Sequence, residues 1–304
     1  MSYMKKQSKI AVIGGDMRQL AVAKGLRDAD LEVYTSGLCV SPGKEENIKN
    51  CDCWEDAITG ARAVVLPLPV SMDDVTLNCP ARMGADRITL DKITELTDRG
   101  AVLLGGRIPK RMLEAAGRKG IEVCDYFLSE PLQIKNAYLT AEAAVSIAMN
   151  SLTKRLGEAR FAVTGSGRIS RFLAHILRRL GADVTVAARK AESLAYFAID
   201  GCDTLLITES DGGRERWYTP LQKGYDIIFN TVPAWLFDRQ FLEGADKNML
   251  IIELASSPGG VDVCAARELC ANVMWAPSLP GKYAPESAGR IICECVLDVL
   301  GGIV

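Results

Sequence analysis

A single histidine, His175, is present among 304 residues. Any imidazole general base must therefore be this one, yet it falls among Arg171, Arg178 and Arg179 at helical spacing, on the polar face of a helix. A solvated histidine is expected there, which leaves proton handling to a carboxylate, a lysine or water. An excess of either charge sign is also missing. Lysine and arginine number 36 against 38 aspartates and glutamates, so nothing draws the chain to nucleic acid or an anionic membrane. No apolar run approaches membrane-spanning length, and the polar start from Met1 to Lys9 does not resemble a signal peptide. A soluble, cytoplasmic protein is the expectation. Ten cysteines are present, but metal-ligand spacing is not: Cys51 and Cys53, like Cys293 and Cys295, are separated by one residue and have no histidine nearby. They read as reduced thiols, with no metal site.

The most informative stretch is Phe161 to Lys190. An apolar strand ends in Gly165-Ser166-Gly167-Arg168, and an amphipathic helix follows with Ile169, Phe172, Leu173, Ile176, Leu177 and Leu180 on one face. Gly181 stands where a helix end wants positive φ. A second strand then closes on Arg189-Lys190. Two glycines let the backbone approach a pyrophosphate, and the helix N-terminus offers free N–H groups and a positive dipole end. Ser170 occupies the position of the usual third glycine. A basic pair rather than an acidic residue after the second strand suits the 2′-phosphate of NADP, although the same pair could simply be solvated.

Strands alternate with helices on both sides of this segment. The first half offers strands at Lys9–Ile13, Leu31–Thr35, Ala63–Leu66, Ala101–Leu104 and Ile121–Cys124, with helices over 18–29, 91–99 and 109–119. The second continues with strands at Tyr225–Phe229, Leu250–Leu254 and Asn272–Ala276. The pattern predicts an α/β chain of two doubly wound parallel-sheet (Rossmann-like) domains joined by connecting helices. Residues 1–139 form an N-terminal α/β domain on the substrate side, completed by a C-terminal helix at 285–304. Residues 140–156 form a connecting helix, and 157–284 an NADP-binding Rossmann domain. Ligands are expected at the carboxyl ends of the strands, in a cleft between the lobes.

Three loops after strands of the second domain contain small residues and prolines suited to a nicotinamide: Asn230-Thr231-Val232-Pro233, Ala255 to Asp262, and Pro277 to Lys282. In the first domain Gly14-Gly15-Asp16-Met17-Arg18 and Gly105-Gly106-Arg107 each follow a strand. Glycine amides beside a guanidinium make two candidate anion cradles, which suggests a substrate with two acidic groups; either arginine could equally serve a surface ion pair.

These motifs assemble into a resemblance. Ala11 to Gln19, Thr140-Ala-Glu-Ala143, the Gly165–Arg168 turn, Phe229 to Ala234, Glu253 to Asp262 and Ala276 to Lys282 appear in this order. Together they are similar to the family of dipicolinate synthase A subunits from spore-forming bacteria, over nearly the whole chain. Ser170 departs from that pattern, and residues 202–219 look idiosyncratic. The resemblance implies NADP-linked oxidation of dihydrodipicolinate, or its hydroxylated precursor, to pyridine-2,6-dicarboxylate. It also implies a flavoprotein-like partner, the B subunit of dipicolinate synthase, and action in the mother-cell cytoplasm during sporulation. On this reading Arg18, Arg107 and Lys282, with Gly15 and Gly106, receive the substrate carboxylates. Gly165, Ser166, Gly167, Arg168 and Ile169 hold the pyrophosphate, and Arg189 and Lys190 the 2′-phosphate. Asn230, Thr231, Val232, Pro233 and Ala255 flank the nicotinamide. Glu142 is the candidate proton acceptor, or else an acidic residue favourable at a helix start. Two alternatives stay open: a dehydrogenase of another small hydroxy or amino acid, and a non-catalytic NADP(H)-binding regulatory subunit.

Overall fold

The computed structural model describes residues 8–39, 47–82, 84–208 and 218–302, so part of the idiosyncratic segment 202–219 lies outside the described residues. The chain divides into two units, Met1–Asn136 with Gly281–Val304, and Ala137–Pro280. The α/β class with two parallel sheets stands as the alternating pattern implies.

In the first unit the elements run β1 (Lys9–Ile13), α1 (Met17–Asp28), β2 (Glu32–Ser36), β3 (Ile48–Asn50), α2 (Trp54–Ile58), β4 (Ala63–Val65), α3 (Leu90–Leu96), β5 (Val102–Gly105), α4 (Lys110–Lys119) and β6 (Glu122–Asp125). All neighbours pair in parallel, in the order β3-β2-β1-β4-β5-β6, with Ile10 opposite Val33 on one side and Ala63 on the other. Strand β1 is apolar and buried from Ile10 to Ile13 because both its faces are covered. Ile10 and Val12 join one core, with Val22 and Leu26 of α1. Ala11 and Ile13 join the opposite one, with Ile58 and Ile93 of α2 and α3. Each fully buried valine, leucine or isoleucine among them contributes about 1.5–3 kcal/mol.

Helix α5 (Glu130–Ser151) spans the division between the units. The helix expected over 140–156 thus starts ten residues earlier and ends sooner. Its first part escapes sequence reading because Gln133, Lys135 and Asn136 interrupt the apolar stripe, although Leu132 and Ala137 are buried. Pro131 is tolerated because the amide it lacks would have no partner in the first helical turn.

The second unit repeats the first: β7 (Arg160–Thr164), α6 (Arg168–Arg179), β8 (Asp183–Ala188), α7 (Ala191–Ile199), β9 (Asp203–Leu206), β10 (Ile227–Asn230), α8 (Arg239–Gly244), β11 (Leu250–Glu253), α9 (Val263–Glu268) and β12 (Val273–Trp275). Its sheet order, β9-β8-β7-β10-β11-β12, is the same topology counted from its own first strand. The α6 amphipathicity is as expected, with Leu173, Ala174 and Leu177 buried and Arg171, His175 and Arg179 exposed. The helix ends as Gly181 takes φ +82°. Its amide donates to Arg178 O and that of Ala182 to Leu177 O, closing the last turn.

The short α10 (Leu279–Tyr283) leads into α11 (Pro285–Gly302), which packs on α1 in the first unit. Gly289 permits this approach. A Cβ there would overlap the carbonyl oxygen of Arg18 and reach 2.6 Å from Ala21 Cβ. Ile292, Val296 and Leu300 bury the facing stripe.

Candidate functional site

In the second unit the chain leaves β7 through Gly165 at φ +102°, whose amide donates to Ala187 O of β8 at 2.8 Å. A Cβ on Gly165 would strike Thr231 Oγ1 and lie 3.0 Å from Val232 Cγ2, so only glycine fits. Gly167 occupies the N-cap of α6, with no side-chain cap and with open space around its Cα. Ser166 is half-buried, while Gly167 and Arg168 are exposed. Ser170 explains its own departure from the glycine pattern. It is fully buried, and its hydroxyl lies 2.8 Å from Thr231 Oγ1, which in turn donates to Thr164 O at 2.8 Å. The serine is therefore held by a hydrogen bond where glycine would leave a gap. Ile169 packs its side chain into the core, so it offers the site only its backbone.

Strand β8 ends at Ala188 and is followed by Arg189 and Lys190, both exposed, and Lys190 is the N-cap of α7. Neither is paired with a carboxylate among the described residues. The uncapped α6 terminus and this basic pair form one set. Helix-terminal amides and a positive dipole end suit a phosphate diester, and two cations suit a phosphate monoester.

The nicotinamide-side residues expected from sequence divide into two groups. Asn230 cannot flank a ligand with its side chain, because it is fully buried and committed. Its Oδ1 accepts from Thr164 Oγ1 at 2.6 Å and Val232 N at 3.1 Å. Its Nδ2 donates to Val232 O at 3.1 Å and to both Glu253 carboxylate oxygens at 2.9 and 2.8 Å. Ala255 is likewise buried, with its amide bound to Glu253 Oε1. Thr231 braces the glycine turn. Val232 is half-buried against Gly165, and Pro233 is exposed, so these two remain accessible. Burial pushes the Glu253 carboxyl above its ordinary range, opposed by the N–H donors of Asn230, Gly260, Ala255 and Val261.

The first-unit cradles prove to be occupied by the protein itself. Gly14 N donates to Ser36 O, and Gly15 N donates to Asn78 O at 2.8 Å, so neither amide is free for a substrate carboxylate. Arg18 is buried. Its Nε lies 2.9 Å from Asp16 Oδ1, and its Nη2 donates to Asp16 Oδ2 at 2.8 Å and to Leu68 O at 2.5 Å. Asp16 also caps α1 by accepting from Arg18 N. At the second cradle Gly106 N donates to Pro67 O, while Arg107 N and Ile108 N donate to the two Asp125 oxygens at 3.1 and 3.0 Å. These glycines serve the fold, and each arginine cradle already holds a carboxylate or carbonyl. What remains outward-facing is the Arg107 guanidinium, exposed and 5.0 Å over the Phe127 ring, and Lys282, exposed on α10.

Glu142 is exposed but stands in the middle of α5, so it cannot serve the helix N-terminus as expected. His175 is exposed, as its arginine neighbours imply. Sequence reasoning missed Asp16, Asp125 and Glu253. The first sits directly before a helix, an N-cap position, and the last is a carboxylate closing an otherwise apolar strand; both are readable signals. Asp125 pairs with residues 17 and 18 positions away, which no local pattern reveals. Among the described residues no three acidic, cysteine or histidine side chains gather as a metal site, and no helix is long and apolar enough to cross a membrane.

Comparison with known proteins places this geometry. Residues 9–127 match the family described as the N-terminal domain of the dipicolinate synthase A subunit. The dipicolinate synthase A subunit of Bacillus subtilis (strain 168) is 26% identical over 295 residues, covering 97% of this chain and 96% of that one. The crystal structure of the B. subtilis protein superposes with a TM-score of 0.82 at 25% identity, over 97% of this chain and 96% of that one. Its counterpart from Bacillus halodurans superposes with a TM-score of 0.83 at 24% identity, over 98% and 99% of the two chains. The transhydrogenase of Sinorhizobium meliloti shares the fold, with a TM-score of 0.65 at 14% identity over 97% and 94%. Residues 9–127 are therefore similar to the N-terminal domain of dipicolinate synthase A subunits, and the chain is similar to the B. subtilis protein over almost all of its length.

Proposed function

We propose that the protein is the oxidoreductase component of a dipicolinate synthase, using NADP to oxidise dihydrodipicolinate or its hydroxylated precursor to pyridine-2,6-dicarboxylate. The supporting observation is the α6 N-terminus, left without a side-chain cap behind Gly165 and Gly167, with Arg189 and Lys190 exposed at the end of β8. Backbone amides from Ser166 to Ile169 would hold the pyrophosphate, with Arg168 beside them, and the basic pair would hold the 2′-phosphate. NADP, when bound, supplies a hydride acceptor. The chain's own work is orientation: Val232 and Pro233 provide the accessible wall next to the glycine turn, and Thr231 keeps that turn in place. In the first unit Arg107 and Lys282 are the exposed cations for substrate carboxylates, while Arg18 shapes the turn through Asp16. Glu142, exposed on α5, is the proton acceptor. Formation of an aromatic ring lowers the demand on that base, so orientation matters more than base strength. The proposed setting is the mother-cell cytoplasm during sporulation, where the partner is the flavoprotein-like B subunit of the synthase.

The test is purified protein, with and without the B subunit, supplied with dihydrodipicolinate and NADP while absorbance of the aromatic product is followed. Product formation is expected. Turnover of a hydroxy acid but not of dihydrodipicolinate would reject the substrate. NADPH binding without oxidation, in a complex indifferent to Arg107→Ala, would make the chain a non-catalytic component. Arg189→Glu is expected to weaken NADP more than tenfold, roughly 1.4 kcal/mol, and to leave NAD unaffected.

A further inference from the structure

Glu253 has no solvent exposure and no lysine or arginine partner among the described residues. Its contacts are all N–H donors. Oε1 accepts from Asn230 Nδ2 and Ala255 N, each at 2.9 Å; Oε2 accepts from Asn230 Nδ2 at 2.8 Å and Gly260 N at 2.9 Å. Ala255 and Gly260 are the two ends of a loop whose middle, Ser256 to Pro258, is exposed. Asn230 heads the neighbouring loop and binds it back on itself through Val232 N and Val232 O. One carboxylate therefore pins three points on two loops. Gly260 is fitted to this arrangement, since a Cβ there would overlap Asn230 Nδ2 and lie 2.8 Å from Ala234 O.

We propose that Glu253 is a positioning residue, whose buried carboxylate clamps the loops 230–233 and 255–260 into the shape that receives the nicotinamide half of a dinucleotide. This rests on the dinucleotide reading of the second unit. A buried carboxylate with no cation beside it is a costly way to fill a core, since desolvation must be offset by hydrogen bonds alone. An apolar residue would fill the volume but orphan three N–H groups. Glutamine would turn its own NH2 toward one of them. The exposed loop between two pinned ends gains a fixed path without any contact of its own, which is what a binding loop requires. Glu253 itself contacts neither the phosphate turn nor the basic pair, and the clamped loop meets that turn only through Thr231, Val232 and the Thr164 bond to Asn230, so the larger effect falls on the nicotinamide half of the ligand.

The experiment compares binding of NADPH and of adenosine 2′,5′-bisphosphate, which lacks the nicotinamide half, by the wild-type chain, Glu253→Gln, Asn230→Asp and the double variant. Each single variant is expected to weaken NADPH at least tenfold and to keep adenosine 2′,5′-bisphosphate within twofold. The double variant, which exchanges carboxylate and amide across the same contact, is expected to recover at least threefold of the NADPH loss. If Glu253→Gln fails to fold, Glu253→Asp keeps the charge, draws it back by one methylene, and is expected to show the same split at smaller size. Equal weakening of both ligands, or unchanged NADPH affinity, overturns the proposal. A wild-type chain that binds neither ligand overturns the dinucleotide reading itself, and the clamp with it.

Discussion

The two units share a sheet topology and a glycine-rich first turn, and they differ in what closes that turn. In the first, Asp16 caps α1 and holds Arg18, Gly15 N is bound to Asn78 O, and a Cβ on Gly14 would lie 2.7 Å from Leu77 Cδ2. The chain itself, through Leu77 and Asn78, fills the space next to the glycines. In the second, Gly167 stands where Asp16 stands and brings no capping group, with nothing within 4 Å of where its Cβ would be. One fold thus offers the same helix terminus twice, once closed by a capping carboxylate and once without a side-chain cap. A glycine turn after a strand is a statement about backbone geometry. Whether it binds an anion depends on whether the chain supplies the anion.

The sharpest way to break this contrast is to write the first turn into the second. Gly167→Asp places a carboxylate at the N-cap of α6, where the helix dipole favours it; the gain in stability should be small, about 0.5 kcal/mol. The same carboxylate competes with and repels a pyrophosphate. NADPH affinity is expected to fall at least a hundredfold, about 2.7 kcal/mol, measured by fluorescence titration alongside a melting curve. A variant that melts no lower and binds NADPH as tightly as the wild type would show that the α6 terminus is not the phosphate site.

Second in size is Gly15→Ala. Gly15 sits at φ +84°, and a Cβ would overlap Gln19 Cγ and come within 2.9 Å of Pro67 Cβ. Strain and overlap together should lower unfolding free energy by roughly 2 kcal/mol, measured by urea denaturation. Because this turn is filled by the chain, NADPH affinity should stay within twofold. A selective loss of NADPH affinity with stability intact would mean that the first unit, not the second, carries the dinucleotide.

The same contrast sets what could be read in advance. Strands β1 and β7 carry apolar runs, Ile10–Ile13 and Phe161–Val163, behind one basic residue, and α6 with Gly181 carries its period and its stop in adjacent residues, so both were legible. Strand β3, Ile48-Lys49-Asn50, has one apolar residue in three, and α2 has only five residues; neither gives a period to count. At the site, the bend at Gly165 follows from local sequence, since only glycine accepts its φ. The commitments of Arg18, Gly106 and Asn230 do not. They depend on Leu68, Pro67 and Glu253, partners brought in by the sheet order from other connections. Local sequence shows where a donor is. It does not show that a distant residue has already taken it.

The smallest effect tests the first turn without disturbing its shape. Asp16→Asn keeps an oxygen for the Arg18 amide, because asparagine caps a helix about as well as aspartate. The Nη2 bond to Leu68 O also survives. The Arg18 fork loses the charge and one acceptor, since the asparagine NH2 then faces Nη2, and Asp16 is partly solvated, with a side chain 36% exposed against 10% for Arg18. Screening by that solvent limits the loss to about 0.5–1 kcal/mol in urea denaturation, with NADPH affinity unchanged. Gly281 packs directly on this pair, with a Cβ position 2.8 Å from Asp16 Oδ2, so the substitution reaches the start of the C-terminal segment as well. A loss well above 2 kcal/mol would mean that Asp16 holds more than Arg18 and the helix cap. No loss would mean that Leu68 O and the packing around Gly281 fix the guanidinium by themselves, and that the carboxylate filling the first turn is dispensable to it.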